Sequence, residues 1–297
     1  MNTQMKGTFS RWSENSARWY EEASKYTRYH EKLTEYIVPH LDPQGTCCEL
    51  ACGTGTLARH LAPFTLSYTA NDIDPYSIQF CRDMQEKNPL PNLELILGDW
   101  HDTFRDKTFG TVVFSYFGAV IKDWEALKQI AEKKVIAVVP RYDEEELRQK
   151  AKAFSGQSRF RNLTAQESER DSAFDSSSPS RSLSEEKGKP TDKREKADGG
   201  EKKKKKRPFE TMEAISAFLE EKKVPHKTIP LTLEFGQPAR TLQEAEEYAG
   251  YYYRFETEEE LHEFVKMKFQ PADCGYFFSK KKNIGIVIAD MTSQHSR

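Results

Sequence analysis

The chain has 297 residues, with 45 Lys and Arg against 47 Asp and Glu, a net charge of −2 and a mean hydropathy of −0.80. That length suits one large domain or two small ones. No run approaches the ~18 apolar residues of a membrane span, and residues 1–6 are not followed by an apolar stretch, so the sequence predicts neither a membrane segment nor a secretory signal, and a cytoplasmic protein.

Cysteines at 47, 48, 52, 81 and 274 contain no Cys-x-x-Cys, and the histidines are scattered singly. A disulfide framework and a zinc site of recognisable spacing are thereby excluded, and no metal is expected. The cysteines read as buried reduced thiols acting as small apolar residues.

The averages hide a split. Residues 155–207 hold seven hydrophobic side chains, 15 Lys and Arg, and 10 Asp and Glu, net +5, which leaves −7 for the rest of the chain. Such a segment cannot bury enough surface to offset chain ordering and reads as a disordered charged insertion. A globular part of net −7 is a poor binder of phosphate backbones. The basic run at 202–207 is first a solvated flank of this insertion, and second a candidate nucleic-acid patch.

In chain order, the first 40 residues are aromatic and charged, with Trp12, Trp19, Tyr20, Tyr26, Tyr29 and Tyr36. Leu33, Tyr36, Ile37 and His40 follow helical spacing, which Pro39 ends. An alternation then begins. Residues 46–52 predict a strand, 56–62 a short helix, 67–74 a strand and 75–87 a helix capped by Asp74 with Pro75 at its first position. Strands follow at 93–98 and 111–117, then a helix at 123–132 capped by Asp123, and a strand at 135–139. Strands separated by helices imply a parallel sheet covered on both faces.

After the insertion come an amphipathic helix at 209–222 and a strand at 227–235. Two more helices are announced by capping boxes, Thr241 with Glu244 and Thr257 with Glu260. Residues 275–279 and 284–289, joined by a turn at 280–283, read as an antiparallel hairpin. Tyr251, Tyr252 and Tyr253 read as packing residues.

The sharpest feature is Glu49-Leu50-Ala51-Cys52-Gly53-Thr54-Gly55-Thr56-Leu57, which leaves the first strand and enters a helix. Glycines there let backbone approach a ligand at the carboxyl edge of the sheet. Gly53-x-Gly55-x-x-Ala58 also fits a loose dinucleotide fingerprint. Three features tilt away from a dinucleotide. A carboxylate at Glu49 suits an ammonium group and repels a pyrophosphate. Asp72, in Asn71-Asp72-Ile73-Asp74-Pro75, suits ribose hydroxyls, a charge-assisted contact worth ~1.5–3 kcal/mol. Asp99, in Gly98-Asp99-Trp100, suits an adenine amino group with Trp100 beside the ring.

Glu-Leu-Ala-Cys-Gly-Thr-Gly at 49–55, Asp-Ile-Asp-Pro at 72–75 and Gly-Asp-Trp at 98–100 resemble the successive cofactor motifs of class I S-adenosylmethionine-dependent methyltransferases. The aromatic first helix resembles the N-terminal lid of their small-molecule branch. The resemblance covers residues ~10–140 best. It implies an α/β, Rossmann-like doubly wound fold: a mostly parallel seven-stranded sheet with an antiparallel C-terminal strand. It also implies a lid at 1–45 and a methyltransferase domain formed by 46–154 and 208–297. The cofactor implied is S-adenosylmethionine. Glu49, Ala51, Gly53 and Gly55 would line its methionine portion, Asp72 would hold the ribose, Ile73 would lie against the adenine, and Asp99 and Trp100 would complete that pocket. Ser115 and Tyr116 would face the methyl group, and Tyr20, or Tyr26 and Tyr29, would close over the cofactor.

Two departures bear on substrate geometry. Gly110 replaces an acidic residue that often opens the fourth strand, and the 155–207 insertion follows the fifth. No catalytic base is evident; His101, Tyr116 and Tyr20 are candidates, and a base is optional for an amine or ionised oxygen. The chain reads Ser115-Tyr116-Phe117-Gly118 where base-modifying DNA methyltransferases carry Asn-Pro-Pro-Tyr. With the acidic folded part, this favours a small-molecule acceptor over a nucleic acid. The rival readings are an RNA or protein methyltransferase tethered by residues 202–207, and a non-catalytic cofactor-binding scaffold. A nicotinamide dehydrogenase ranks last.

Overall fold

The computed structural model describes residues 12–118, 120–142 and 210–294. The expected insertion, with its basic run, lies outside the described residues.

Helix α1 (Glu14–Thr27) opens on a reciprocal capping box between Ser13 and Ser16, which satisfies two orphan backbone donors. It ends where Arg28 turns left-handed (φ 56°), and α2 (Tyr29–Ile37) restarts at once. Pro39 then closes a tight turn over Val38–His40.

The alternation follows as β1 (Thr46–Leu50), α3 (Thr56–Leu61), β2 (Ser67–Asp72), α4 (Pro75–Lys87), β3 (Leu93–Leu97), α5 (Trp100–Thr103), β4 (Phe109–Ser115), α6 (Trp124–Ile130) and β5 (Ala131–Pro140). Beyond the undescribed stretch come α7 (Met212–Glu221), β6 (His226–Glu234), β7 (Gln237–Ala239), α8 (Leu242–Tyr252), α9 (Glu258–Lys268), β8 (Gln270–Ala272), β9 (Gly275–Phe278) and β10 (Lys281–Asp290).

Seven strands form one sheet in the order β3-β2-β1-β4-β5-β10-β6. The first five are mutually parallel, and β10 runs antiparallel to both β5 and β6. This is the expected fold class. β4 is buried from Phe109 to Phe114 because both its faces are covered. Val113 points to the layer of α2, α3 and α4 with Leu33, Leu61 and Ile78; Val112 and Phe114 point to the layer of α5, α6 and α7 with Phe104, Leu127, Ile215 and Leu219. Each such buried side chain contributes ~1.5–3 kcal/mol. Helix α7 crosses β10 so closely that a Cβ on Gly285 would lie 2.5 Å from the Met212 Cβ. Pro230 is tolerated within β6 because that strand is a sheet edge.

The expected C-terminal hairpin is not formed. β9 pairs with β7 and β8 in a separate three-stranded sheet, while β10 pairs with β6 and β5. The long-range ladder of β10 with β6, from Lys281–Glu234 to Ala289–His226, takes the hydrogen bonds that a local hairpin would have used. Both edge strands of the small sheet read Gln-Pro-Ala, and proline, lacking a donor, belongs at edges.

Helices α8 and α9 cover the small sheet through Ala245, Ala249, Phe264 and Val265. Helix α1 is clasped to this unit. Trp19 lies edge-on to Tyr248 and Tyr251, with ring centroids 5.5 and 5.3 Å away, and tilted against Tyr252 at 5.8 Å. The Tyr26 hydroxyl donates to Asp273 Oδ1 at 2.5 Å. Among the described residues no helix is long and apolar enough to cross a membrane.

Candidate functional site

The strand order reverses between β1 and β4, so the crevice at their carboxyl ends is where an open α/β sheet takes a ligand. The chain leaves β1 there through three left-handed residues: Ala51 (φ 53°), Gly53 (φ 54°) and Gly55 (φ 67°). The two glycines adopt this conformation without a steric penalty. Ala51 does not, at ~1–2 kcal/mol for an L-residue. Ala51→Gly is therefore expected to leave the fold intact and to raise stability by up to ~1 kcal/mol once glycine's own entropy loss is counted; a chemical denaturation midpoint shifted clearly downward would refute the strain.

Asp72, at the tip of β2, fixes this turn. Its Oδ2 accepts from the Gly53 N–H and its Oδ1 from the Asp74 N–H, both at 2.8 Å. Asp74 caps α4 by accepting from the Tyr76 N–H, as expected. Ile73, between them, is an apolar side chain that is 58% exposed. Glu49 is buried on β1 and accepts from the Tyr68 hydroxyl at 3.0 Å. Burial first, and the nearby Asp72 charge second, push its pKa up to about 8.

Asp99 caps α5 by accepting from the His101 N–H, and also faces the His101 ring at 3.0 Å. The bond to the His101 side chain holds its carboxyl below the usual range. Trp100 is buried in the layer of α5 to α7 and stacks on His101 at 3.8 Å. Asp123 stands before α6 without making a side-chain cap bond, contrary to expectation; its carboxylate faces Lys122 at 3.4 Å and His101 at 3.7 Å. Ser115 ends β4, half-buried, and Tyr116 follows in a left-handed conformation (φ 53°), its N–H bonded to the Val138 carbonyl.

Helix α1 reaches the turn from the far side. Glu21 pairs with Arg59 at 2.7 Å and accepts from the Thr56 hydroxyl, while Arg59 donates to the Thr54 carbonyl. The Trp12 ring lies so near that a Cβ on Gly53 would meet it at 3.3 Å. Tyr20 lies edge-on to Trp12 at 5.2 Å, and its hydroxyl bonds His30 Nε2 at 3.0 Å. Tyr29 is buried with its hydroxyl 3.4 Å from that of Tyr116, whereas Tyr26 is spent on Asp273.

These residues fit a nucleoside joined to an amino acid. A bare glycine turn, a carboxylate and an exposed isoleucine sit at adjoining strand tips. Residues 48–134 match the family model of a methyltransferase domain. A curated relative, the probable phthiotriol/phenolphthiotriol dimycocerosates methyltransferase 2 of Mycobacterium ulcerans, is 36% identical over 92 residues, 29% of this chain. The chain spans about a third (34%) of that relative's length. A solved structure from Bacillus halodurans, described as a candidate methyltransferase, is 15% identical, with a TM-score of 0.50 over 89% of this chain and 99% of its own. The YcgJ protein of Bacillus subtilis is 10% identical, with a TM-score of 0.49 over 88% and 98% of the two chains.

Sequence reasoning missed Glu21, Arg59 and Tyr68 around this turn. Each acts across 19 or more positions in sequence, and a lone charged residue on a helix carries no local sign of a distant partner. Cys81 is likewise in the site: its Sγ reaches the Gly53 carbonyl at 3.4 Å.

Proposed function

We propose that the chain is an S-adenosylmethionine-dependent methyltransferase acting on a small-molecule acceptor. The observation that carries this reading is the Asp72–Gly53 bond, which locks a left-handed glycine turn at the switch point of the sheet. The bound cofactor would supply an electrophilic methyl group on a sulfonium. The chain's residues do the rest. Gly53 and Gly55 give close backbone approach, Asp72 offers its remaining lone pairs to ribose hydroxyls, Ile73 supplies an apolar wall for adenine, and Glu49 offers a buried carboxyl oxygen to the ammonium group. Ser115 and Tyr116 border the place where an acceptor would stand, and α1 with Trp12 and Tyr20 keeps water out. Alignment of the reacting atoms is worth ~7–11 kcal/mol of barrier. The acceptor is put in the small-molecule class on the acidic balance of the folded part, with the Mycobacterium ulcerans relative, itself named for a lipid acceptor, as weak support. Nucleic acid is not among the expected partners, and the cytoplasm is the expected compartment.

Calorimetric titration tests this. S-adenosylhomocysteine is expected to bind and NAD to show no heat of binding. Asp72→Ala should weaken S-adenosylhomocysteine at least tenfold, ~1.4 kcal/mol, because it removes a ribose acceptor and strands the Gly53 and Asp74 N–H groups. Unchanged affinity in that variant, or preference for NAD, would sink the reading.

A further inference from the structure

One cluster at the same edge of the sheet is left unused by cofactor binding. Lys282 stands at the start of β10, which is the carboxyl end of β5, since Ile284 pairs with Pro140. Its Nζ lies 4.6 Å from the centroid of the Phe235 ring, 4.8 Å from that of Tyr116 and 6.0 Å from that of Tyr29. The rings also touch one another. Tyr29 meets Phe235 at 4.7 Å, and Tyr20 meets Phe235 at 5.1 Å. Tyr116 is the residue that leaves β4 in a left-handed conformation, the kind of local strain that persists where surrounding structure enforces it and that gathers at working sites.

Electrostatics give the cluster a sign. His30, bonded to Tyr20 on one side and Ser24 on the other, is held neutral by burial first, and then by His60, Lys282 and Arg59. Burial pushes His60 as well toward its neutral form and Arg59 is matched by Glu21, so the sign of the cluster is that of Lys282. Aromatic faces favour a flat apolar ligand, while an ammonium seated on them and partly withdrawn from water attracts an anionic oxygen more strongly than a solvated lysine does.

The geometry points to a binding pocket for the acceptor, formed by Lys282, Phe235, Tyr116 and Tyr29, that takes a planar molecule bearing a carboxylate. This rests on the methyltransferase reading above and names its substrate class. Lys282 holds the carboxylate and the rings hold the plane. A carboxylate also suits direct displacement, because an ionised oxygen needs no proton removed.

The test uses the full chain loaded with S-adenosylhomocysteine, and benzoate and benzylamine as probes of equal shape and opposite charge. Saturable benzoate binding by ligand-observed NMR is expected, with benzylamine bound at least fivefold more weakly. Lys282→Gln should weaken benzoate fivefold or more, and Lys282→Arg should restore it. Calorimetry with S-adenosylhomocysteine alone separates the two layers of inference. If the wild-type chain binds neither, the methyltransferase reading fails. If it binds S-adenosylhomocysteine but not benzoate, or prefers benzylamine, the pocket fails. Normal S-adenosylhomocysteine binding by Lys282→Gln certifies its fold, and unchanged benzoate affinity in that variant overturns the role of Lys282.

Discussion

Gly55→Val is expected to abolish cofactor binding and to destabilise the fold. At this position φ is +67°, and a Cβ would lie 2.6 Å from Cys81 Sγ. A β-branched residue there meets two penalties at once. The left-handed conformation costs ~1–3 kcal/mol, and the overlap costs a further ~1–3 kcal/mol, because Cys81 is packed on α4 and cannot simply rotate away. The same residue carries the first helical acceptor of α3, its carbonyl receiving the Arg59 N–H at 3.0 Å. Relief by twisting the turn would therefore disturb the helix and the Arg59–Glu21 pair together. The expected result is a melting temperature lower by ~6–12 °C and S-adenosylhomocysteine affinity lower by at least a hundredfold. Gly55→Ala should fall between that variant and wild type. A Gly55→Val protein that melts and binds like wild type would refute the turn geometry.

Glu49→Gln is expected to stabilise the protein increasingly as pH rises above about 5. The folded pKa of about 8 stands above the ordinary 4.5. A carboxyl raised in this way favours the fold fully below its unfolded value, and the advantage is lost as pH climbs through the folded one. Wild type should thus weaken between about pH 4.5 and pH 8, because the unfolded chain releases a proton that the buried native carboxyl keeps. The span corresponds to as much as roughly 5 kcal/mol at ~1.4 kcal/mol per pH unit. Glutamine is neutral throughout and still accepts from the Tyr68 hydroxyl. The two proteins should melt alike near pH 5, with the variant well above wild type near pH 9. Parallel profiles across that range would show that Glu49 titrates normally.

What the sequence made legible was local chemistry. The glycine turn, the Asp74 cap with Pro75, and the Thr241 and Thr257 N-caps each depend on residues within a few positions and stand where the spacing put them, although the Glu244 and Glu260 carboxylates accept from the Arg240 and Glu256 N–H groups and leave the expected capping boxes half-formed. The unread parts are non-local. Residues 280–283 look like a hairpin turn, yet β10 takes its partners from β6 and β5, far back in the chain. No turn signal can announce a pairing whose partner lies across an insertion. β7 and β8 were overlooked because proline within three residues argues against a strand, and the argument fails only because both are edges. The acceptor-side cluster escaped for the same reason. Tyr29, Tyr116, Phe235 and Lys282 sit on four separate stretches of chain, and each alone reads as packing or as a surface charge.

The contact of Trp12 with Gly53 has a consequence for occupancy. An indole tethered a short distance from the glycine turn competes for that spot at a local concentration no dissolved molecule matches. Any incoming nucleoside is opposed by that internal rival, and its apparent grip is diluted by whatever fraction of molecules has the ring seated. Shortening or freeing the leading segment would then tune ligand retention without altering a single group that touches the ligand.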